Sequence, residues 1–384
     1  MYKLRKFFPM ADKITYLDSA ALMLKPIQAI EASNDFYSNN SVSIRTINSP
    51  LGIKNYELIK LVKSKIRKLV NASDDDKVIF TSGTTESLNS LARSMSSLIK
   101  NDDNIIIDAQ NHSSNFIPWI ELAKRKNAKT LVKQGVLDSI NANTKIVAIS
   151  QLTNNLSHNN NIKDIYKVAK KHNTFIINDA AQAIVYEPVD MNYCDAIAFS
   201  CNKFYGPTGL GVLVIKKELF DQIKPSSFGG GSVTHISEDN DYSLTTGESA
   251  FESGTPNFAG IWMFNAALDF FNEYLGYEKS NSILKELSHY AFTKLSSLKN
   301  VEIYTKDYEH IILINVKNVD SHDVAHYLGT KNIYVRSGIF CAHYLKNLYA
   351  PNSYIRISLA VYNNFEDIDK LVYALENGGD FLVI

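Results

Sequence analysis

Between about Lys77 and about Ile215 the chain repeats one pattern, in which short β-branched apolar runs alternate with helical stretches. "KVIF" precedes a helix through "TESLNSLARSMSSL", "NIIID" precedes a helix through "FIPWIELAKRK", and "KTLV" follows. "KIVAIS" then leads to a helix through "IKDIYKVAKKH", after which come "TFIIND", "DAIAFS" and "GLGVLVI". Strands apolar along their whole length are covered on both faces, and such strands alternating with helices predict an α/β fold with a doubly wound, mostly parallel sheet. After "FESGTPN" the pattern changes to a long helical segment, "AGIWMFNAALDFFNEYL", then another helix and short strands such as "VEIYT" and "HIILINV" alternating with helices. A smaller α+β unit is expected there, with a boundary near the long helix. No internal repeat interrupts this plan, and the asparagine cluster "NNLSHNNN" reads as a polar loop.

A chain of 384 residues with 45% hydrophobic content can bury the core of one large domain and a smaller one. Forty basic residues balance forty acidic ones, so no global field draws nucleic acid or an anionic membrane. The plentiful aromatics lack basic interleaving and read as core. The amino terminus meets charges and a proline before any apolar run long enough for a signal peptide, and no eighteen-residue apolar stretch follows. Cys194, Cys201 and Cys341 form an odd, sparse set, which argues against a disulfide framework and for a reducing, cytoplasmic setting.

In a sheet of this kind ligands collect beyond the carboxyl ends of the strands. After "KVIF" comes "TSGTTES", where Gly83 allows a tight turn and Thr84 and Thr85 open a helix whose free N–H groups suit a phosphate, or simply an ordinary cap. Neither GxGxxG nor the P-loop pattern GxxxxGK[ST] is present. "TFIIND" delivers Asp179 to a strand end with Gln182 just beyond it, a ligand carboxylate or a helix cap. Lys203 follows the next strand, and an amine held in an apolar pocket is a candidate for a Schiff base, whereas an exposed one is only solvated. A phosphate-suited helix start, an acid and a lysine, each in a separate strand-end loop, together fit pyridoxal 5'-phosphate (PLP). "VRSGIFCAHY" puts Cys341 in a glycine-bearing loop near Arg336 and His343, which suits a thiolate better than a packed apolar side chain; packing suits Cys194 and Cys201.

The motifs "YLDSAA", "SGTTES", "NHSSNFIPW", "DAAQA", "KFYGPTGLG", "GGGSV", "FESGTPN", "VRSGIFCAH" and "IRISLAVYNN" cover nearly the whole chain. In this order they resemble those of the SufS-like (group II) cysteine desulfurases among the class V aminotransferase-fold PLP enzymes. The resemblance implies a PLP-dependent transferase fold of type I, like that of aspartate aminotransferase. Residues 18–262 would form the large PLP-binding domain, and residues 1–17 with 263–384 a small domain carrying the nucleophile loop. It implies that Lys203 forms the Schiff base, Asp179 pairs with the pyridinium nitrogen, Gln182 faces the phenolic oxygen, and His112 stacks on the ring and transfers protons. Thr84, Thr85 and Ser200 would hold the phosphate, with Thr255 reaching in from the partner subunit of a homodimer. Asn154 would lie near the phenolic oxygen and the substrate, Arg356 would grip the substrate carboxylate, and Arg336 and Arg45 would line the site entrance.

The implied reaction takes sulfur from L-cysteine, releases L-alanine and leaves a persulfide on Cys341. A small sulfur-acceptor or scaffold protein of iron–sulfur cluster assembly is the implied partner. The chain departs from the family pattern at Asn202, which stands before the lysine where relatives usually have histidine and alters a phosphate contact. Ile44, Asn48 and Phe340 also replace usual histidines, which bears on partner choice and proton paths. Two other readings stay open: another class V enzyme (selenocysteine lyase, aminotransferase or racemase), which has no need of Cys341, or a non-catalytic scaffold for sulfur-transfer proteins. His322 and His326, four apart on an expected helix, read as solvated rather than as metal ligands. Gly229 to Gly231 are expected to form a turn near the dimer contact.

Overall fold

A computed structural model of the chain describes residues 2–44, 48–156 and 160–378. The seven apolar runs form one seven-stranded sheet. Across it lie Lys77–Thr81, Gly211–Ile215, Ala196–Ser200, Phe175–Asp179, Thr144–Ser150, Asn104–Asp108 and Lys129–Lys133, in that order. Gly211–Ile215 runs antiparallel to both neighbours, and every other adjacent pair is parallel. The lack of polar alternation is explained by two cores, one on each face. Val147, Ile176, Ile197 and Val212 enter one, while Ile146, Ile177, Ala198 and Leu213 enter the other. The edge strand Lys129–Lys133 carries an exposed lysine at each end, a charge pattern that discourages further strand pairing.

Helices Thr84–Ser94, Ile117–Lys126 and Ile162–Lys171 fall where the sequence pattern places them. The long helical segment is a helix Phe258–Phe270, a π-helical turn Phe271–Leu275 and, starting at Gly276 with φ +69°, a second helix Gly276–Ser296. The expected boundary after residue 262 falls inside the first of these helices. A four-stranded antiparallel sheet follows, ordered Val301–Ile303, Ile311–Val316, Tyr354–Ser358, Arg336–Gly338. The amino-terminal segment is tied to this region by the parallel pair Thr15–Tyr16 and Ile333–Tyr334 and by a bridge between Asp18 and Ser358. A hairpin of Val233–Ile236 and Tyr242–Leu244 was not foreseen in the sequence. No helix among the described residues is long and apolar enough to cross a membrane.

Candidate active site

The carboxyl ends of the central strands open into a cavity of about 180 Å³ lined by Thr84, Thr85, His112, Asn154, Asp179, Gln182, Ser200, Asn202 and Lys203 among others. Local backbone chemistry sets the phosphate-suited side. Helix Thr84–Ser94 starts after Gly83, and a Cβ on Gly211 in the neighbouring strand would stand 2.4 Å from Gly83. Only glycine at 211 lets the two backbones approach that closely. Ser200 Oγ accepts the Thr84 N–H at 2.7 Å and lies 2.7 Å from Thr84 Oγ1. Thr85 Oγ1 is 2.7 Å from Ser114 Oγ. Hydroxyls thus surround a helix amino terminus, where the dipole favours an anion.

Asp179 ends strand Phe175–Asp179 and is buried. Burial holds its carboxyl above the usual range, opposed by the Ala181 N–H, which donates to Oδ1 at 3.0 Å, and by the charge of Lys203. Lys203 sits just past strand Ala196–Ser200, in a 3-10 turn. Its amine has no hydrogen-bond partner among the described residues, and burial lowers its pKa to about 8 although Asp179 pulls the other way. His112 Nδ1 accepts the Ser114 N–H at 3.1 Å, which leaves the ring proton of the neutral form on Nε2. Burial and then the charges of Lys203 and Arg356 lower its pKa to about 4. A free amine, a buried carboxylate, a neutral imidazole and an anion-suited helix start are a donor set that fits PLP.

The remaining residues approach from the small sheet. Arg356, in strand Tyr354–Ser358, is 1% exposed. Its Nη2 donates to Asp18 Oδ1 at 2.7 Å, its Nη1 donates to the Asn154 carbonyl at 3.1 Å, and its Nε is buried without a partner. Burial pushes its pKa below the ordinary value, and Asp18 opposes that shift. Arg336 is exposed and stands opposite Arg356 in the strand register. Cys341 is exposed, and its carbonyl accepts both the Ser113 N–H at 2.8 Å and the Ser113 hydroxyl at 2.6 Å. Because that hydroxyl donates to Cys341, the 3.0 Å contact to His343 Nδ1 assigns a proton to that nitrogen. Cys194 and Cys201 are buried.

Some expected residues lie elsewhere or are otherwise engaged. Thr255 lines a different cleft, with Thr81, Ser82 and Phe251, so within one chain it does not reach the cavity of Lys203. Gln182 lines that cavity, but its amide nitrogen donates to the Ala20 carbonyl at 2.8 Å. Asn202 donates weakly to the Ala21 carbonyl at 3.4 Å. Arg45 lies outside the described residues. His322 Nδ1 is taken up by Ser337 Oγ at 2.9 Å. Sequence reasoning missed Asp18, although "YLDSAA" holds it, and Lys25. Lys25 Nζ donates to the Asn202 carbonyl at 2.8 Å, and burial lowers its pKa to about 7.

The family model of aminotransferase class-V matches residues 15–371. The chain belongs to the class-V aminotransferase family. It is 34% identical to a probable cysteine desulfurase of Ureaplasma parvum, over 97% of this chain and 96% of that protein. It is 33% identical to a probable cysteine desulfurase of Halalkalibacterium halodurans, over 99% and 98% of the two chains. Among solved structures, the cysteine desulfurase CsdA of Escherichia coli superposes with a TM-score of 0.91 at 28% identity, covering 100% of this chain and 99% of that one. The apo cysteine desulfurase of Thermococcus onnurineus also gives 0.91, at 26% identity over 99% and 98% of the two chains. The large, mostly parallel sheet is that of a fold type I enzyme of this family.

Proposed function

We propose that the chain binds PLP at Lys203 and Asp179 and transfers the sulfur of L-cysteine to Cys341, releasing L-alanine. The enzyme class rests on kinship: the chain is a PLP-dependent cysteine desulfurase, like the relatives it matches along its length. The observation that carries the finer reading is the linkage of two regions. The exposed Cys341 sits on a loop whose backbone is held by Ser113 and Asn154, and Asn154 itself lines the cavity of Lys203 and Asp179.

When bound, PLP supplies an electron sink for the bonds around the substrate α-carbon. Lys203 is the covalent anchor, and its lowered pKa makes its amine an available base for the α-proton. Asp179 would hold the pyridinium end, and the hydroxyls of Thr84, Thr85 and Ser200 with the helix amino terminus would hold the phosphate. His112 would cover the ring and, neutral at physiological pH, keeps its proton on Nε2. Arg356 binds the substrate carboxylate, already oriented by Asp18 and the Asn154 carbonyl. Cys341 Sγ then takes the substrate sulfur: an S–S bond forms as the substrate's C–S bond breaks, and protonation at that carbon yields alanine. Gln182, whose amide nitrogen keeps a second N–H beside its bond to the Ala20 carbonyl, would face the phenolic oxygen, and Arg336 and Arg45 would guide the substrate in.

The same reading has a homodimer in which Thr255 completes the partner's phosphate site, supported by its place in a separate cleft. It divides the chain into a large unit, 18–262, and a smaller one, 1–17 with 263–384. A persulfide needs a receiving thiol, so a small sulfur-acceptor or scaffold protein docks near the exposed Cys341 and the sulfur goes to iron–sulfur cluster assembly in the cytoplasm. The test is release of alanine and sulfide from L-cysteine by wild type and Cys341→Ala, with visible cofactor absorbance recorded. The expected result is equal absorbance and lost turnover in the variant; equal turnover would overturn the role of Cys341 and favour a class V reaction that needs no thiol.

A further inference from the structure

Phe340 stands beside Cys341, and its side chain has neither an acid nor a base to offer. Yet it is only 4% exposed, in a small cluster with Ala20, Ile311, Leu313 and Tyr354. The Arg356 guanidinium carbon lies 4.7 Å from the centre of its ring, within the range of a cation–π contact. The Phe340 carbonyl accepts the Asn154 side-chain N–H at 2.8 Å, while the Asn154 carbonyl accepts Arg356 Nη1 at 3.1 Å. Arg356, Asn154 and Phe340 therefore close a ring of three contacts. That ring joins strand Tyr354–Ser358, the loop after strand Thr144–Ser150 and the nucleophile loop.

Two further observations show that the loop conformation is held rather than relaxed. Phe340 and Cys341 both lie in the left-handed region, at φ +54° and +59°, which side chains of this kind adopt rarely. Directly after the ring contact, the Cys341 carbonyl is fixed twice by Ser113. An aromatic face against a buried, singly ion-paired guanidinium also restrains the plane in which that guanidinium presents its remaining N–H groups.

We infer that Phe340 is a positioning residue: its ring orients Arg356 for the substrate carboxylate and, through the same contact, seats the backbone that carries Cys341. The contact is thereby a mechanical link between the carboxylate site and the nucleophile loop. This inference rests on the desulfurase reading and on Arg356 as the carboxylate ligand.

The test is a double-mutant cycle on the PLP-loaded enzyme, reading L-alanine affinity from the change in visible absorbance. L-alanine carries the carboxylate but no sulfur, so its binding reports Arg356 without the chemistry. Phe340→Leu is expected to weaken L-alanine about fivefold beside Arg356 and less than twofold when Arg356→Gln is already present. Phe340→Tyr, which keeps the ring face, restores wild-type affinity. In the Leu variant the first-turnover rate of persulfide formation on Cys341 falls as well. Additive effects in the cycle, or unchanged affinity in Phe340→Leu, would overturn the inference. If Arg356→Gln alone leaves L-alanine binding intact, the carboxylate assignment beneath it fails, which is a separate result. Phe340→Met gives the same comparison should the Leu variant lose its cofactor.

Discussion

Lys203 and Asp179 hang from the ends of buried central strands, whereas Cys341 sits on an exposed loop beyond the edge strand Arg336–Gly338 of the small sheet. The first pair is fixed by burial: both neighbouring strands are covered on two faces, and little freedom remains at their ends. The loop is fixed by a few tethers from Ser113, Asn154 and Arg356, against a backbone cost of about 1–3 kcal/mol for each non-glycine residue held in an uncommon conformation. On the proposed reading, chemistry that must stay in register with a cofactor lies on the rigid part, and chemistry that carries sulfur outward lies on a part held by a few contacts.

Changes on the rigid side should have the largest effects. Lys203→Ala is expected to lower L-cysteine turnover by about a thousandfold or more and to abolish the visible absorbance of bound cofactor, with unchanged circular dichroism. Retained absorbance would move the covalent anchor elsewhere. Acid tests burial at one histidine beside each sheet. His112 and His310 both have pKa values lowered to about 4 by burial. The unfolded chain takes up these protons first, so stability is full above about pH 6.5 and is lost as pH falls toward 4. At pH 5 each group costs about 2 kcal/mol, roughly thirtyfold in the unfolding constant. Urea midpoints at pH 7 and pH 5 measure the loss, and His310→Leu should remove about half of it.

Contacts joining the two regions should have intermediate effects. Asp18→Asn keeps a hydrogen bond to Arg356 but removes the charge, so KM for L-cysteine is expected to rise about tenfold with kcat changed less than twofold. A fall in kcat alone would contradict Arg356 as the carboxylate ligand. The smallest effect belongs to the loop: Ser113→Ala removes one of two bonds to the Cys341 carbonyl and should lower kcat about threefold without altering KM or cofactor absorbance.

This contrast also explains what could be read from the sequence. The seven strands were legible because each centres on a short apolar run, and Asp179, Ser200 and Lys203 were legible because they stand at or just past the ends of those runs. Asp18 and Arg356 meet across almost the whole chain, so no local pattern shows their pairing. Phe340 reads as a lost histidine until the fold brings Arg356 over its ring. Thr255 is legible as a motif residue, but its separation from the cavity of its own chain is a property of the folded surface. The hairpin Val233–Ile236 with Tyr242–Leu244 escaped notice because its strands are short and largely exposed, and burial supplies the pattern by which strands are recognised.

Where the sulfur goes decides whether Cys341 is the acceptor. The most direct measurement is the mass of the proteolytic peptide containing Cys341 after a single turnover with L-cysteine and rapid alkylation. The expected result is one additional sulfur atom on that peptide, in step with one alanine released per site, and none on the peptides holding Cys194 or Cys201. Alanine released with an unmodified Cys341 peptide would contradict the account.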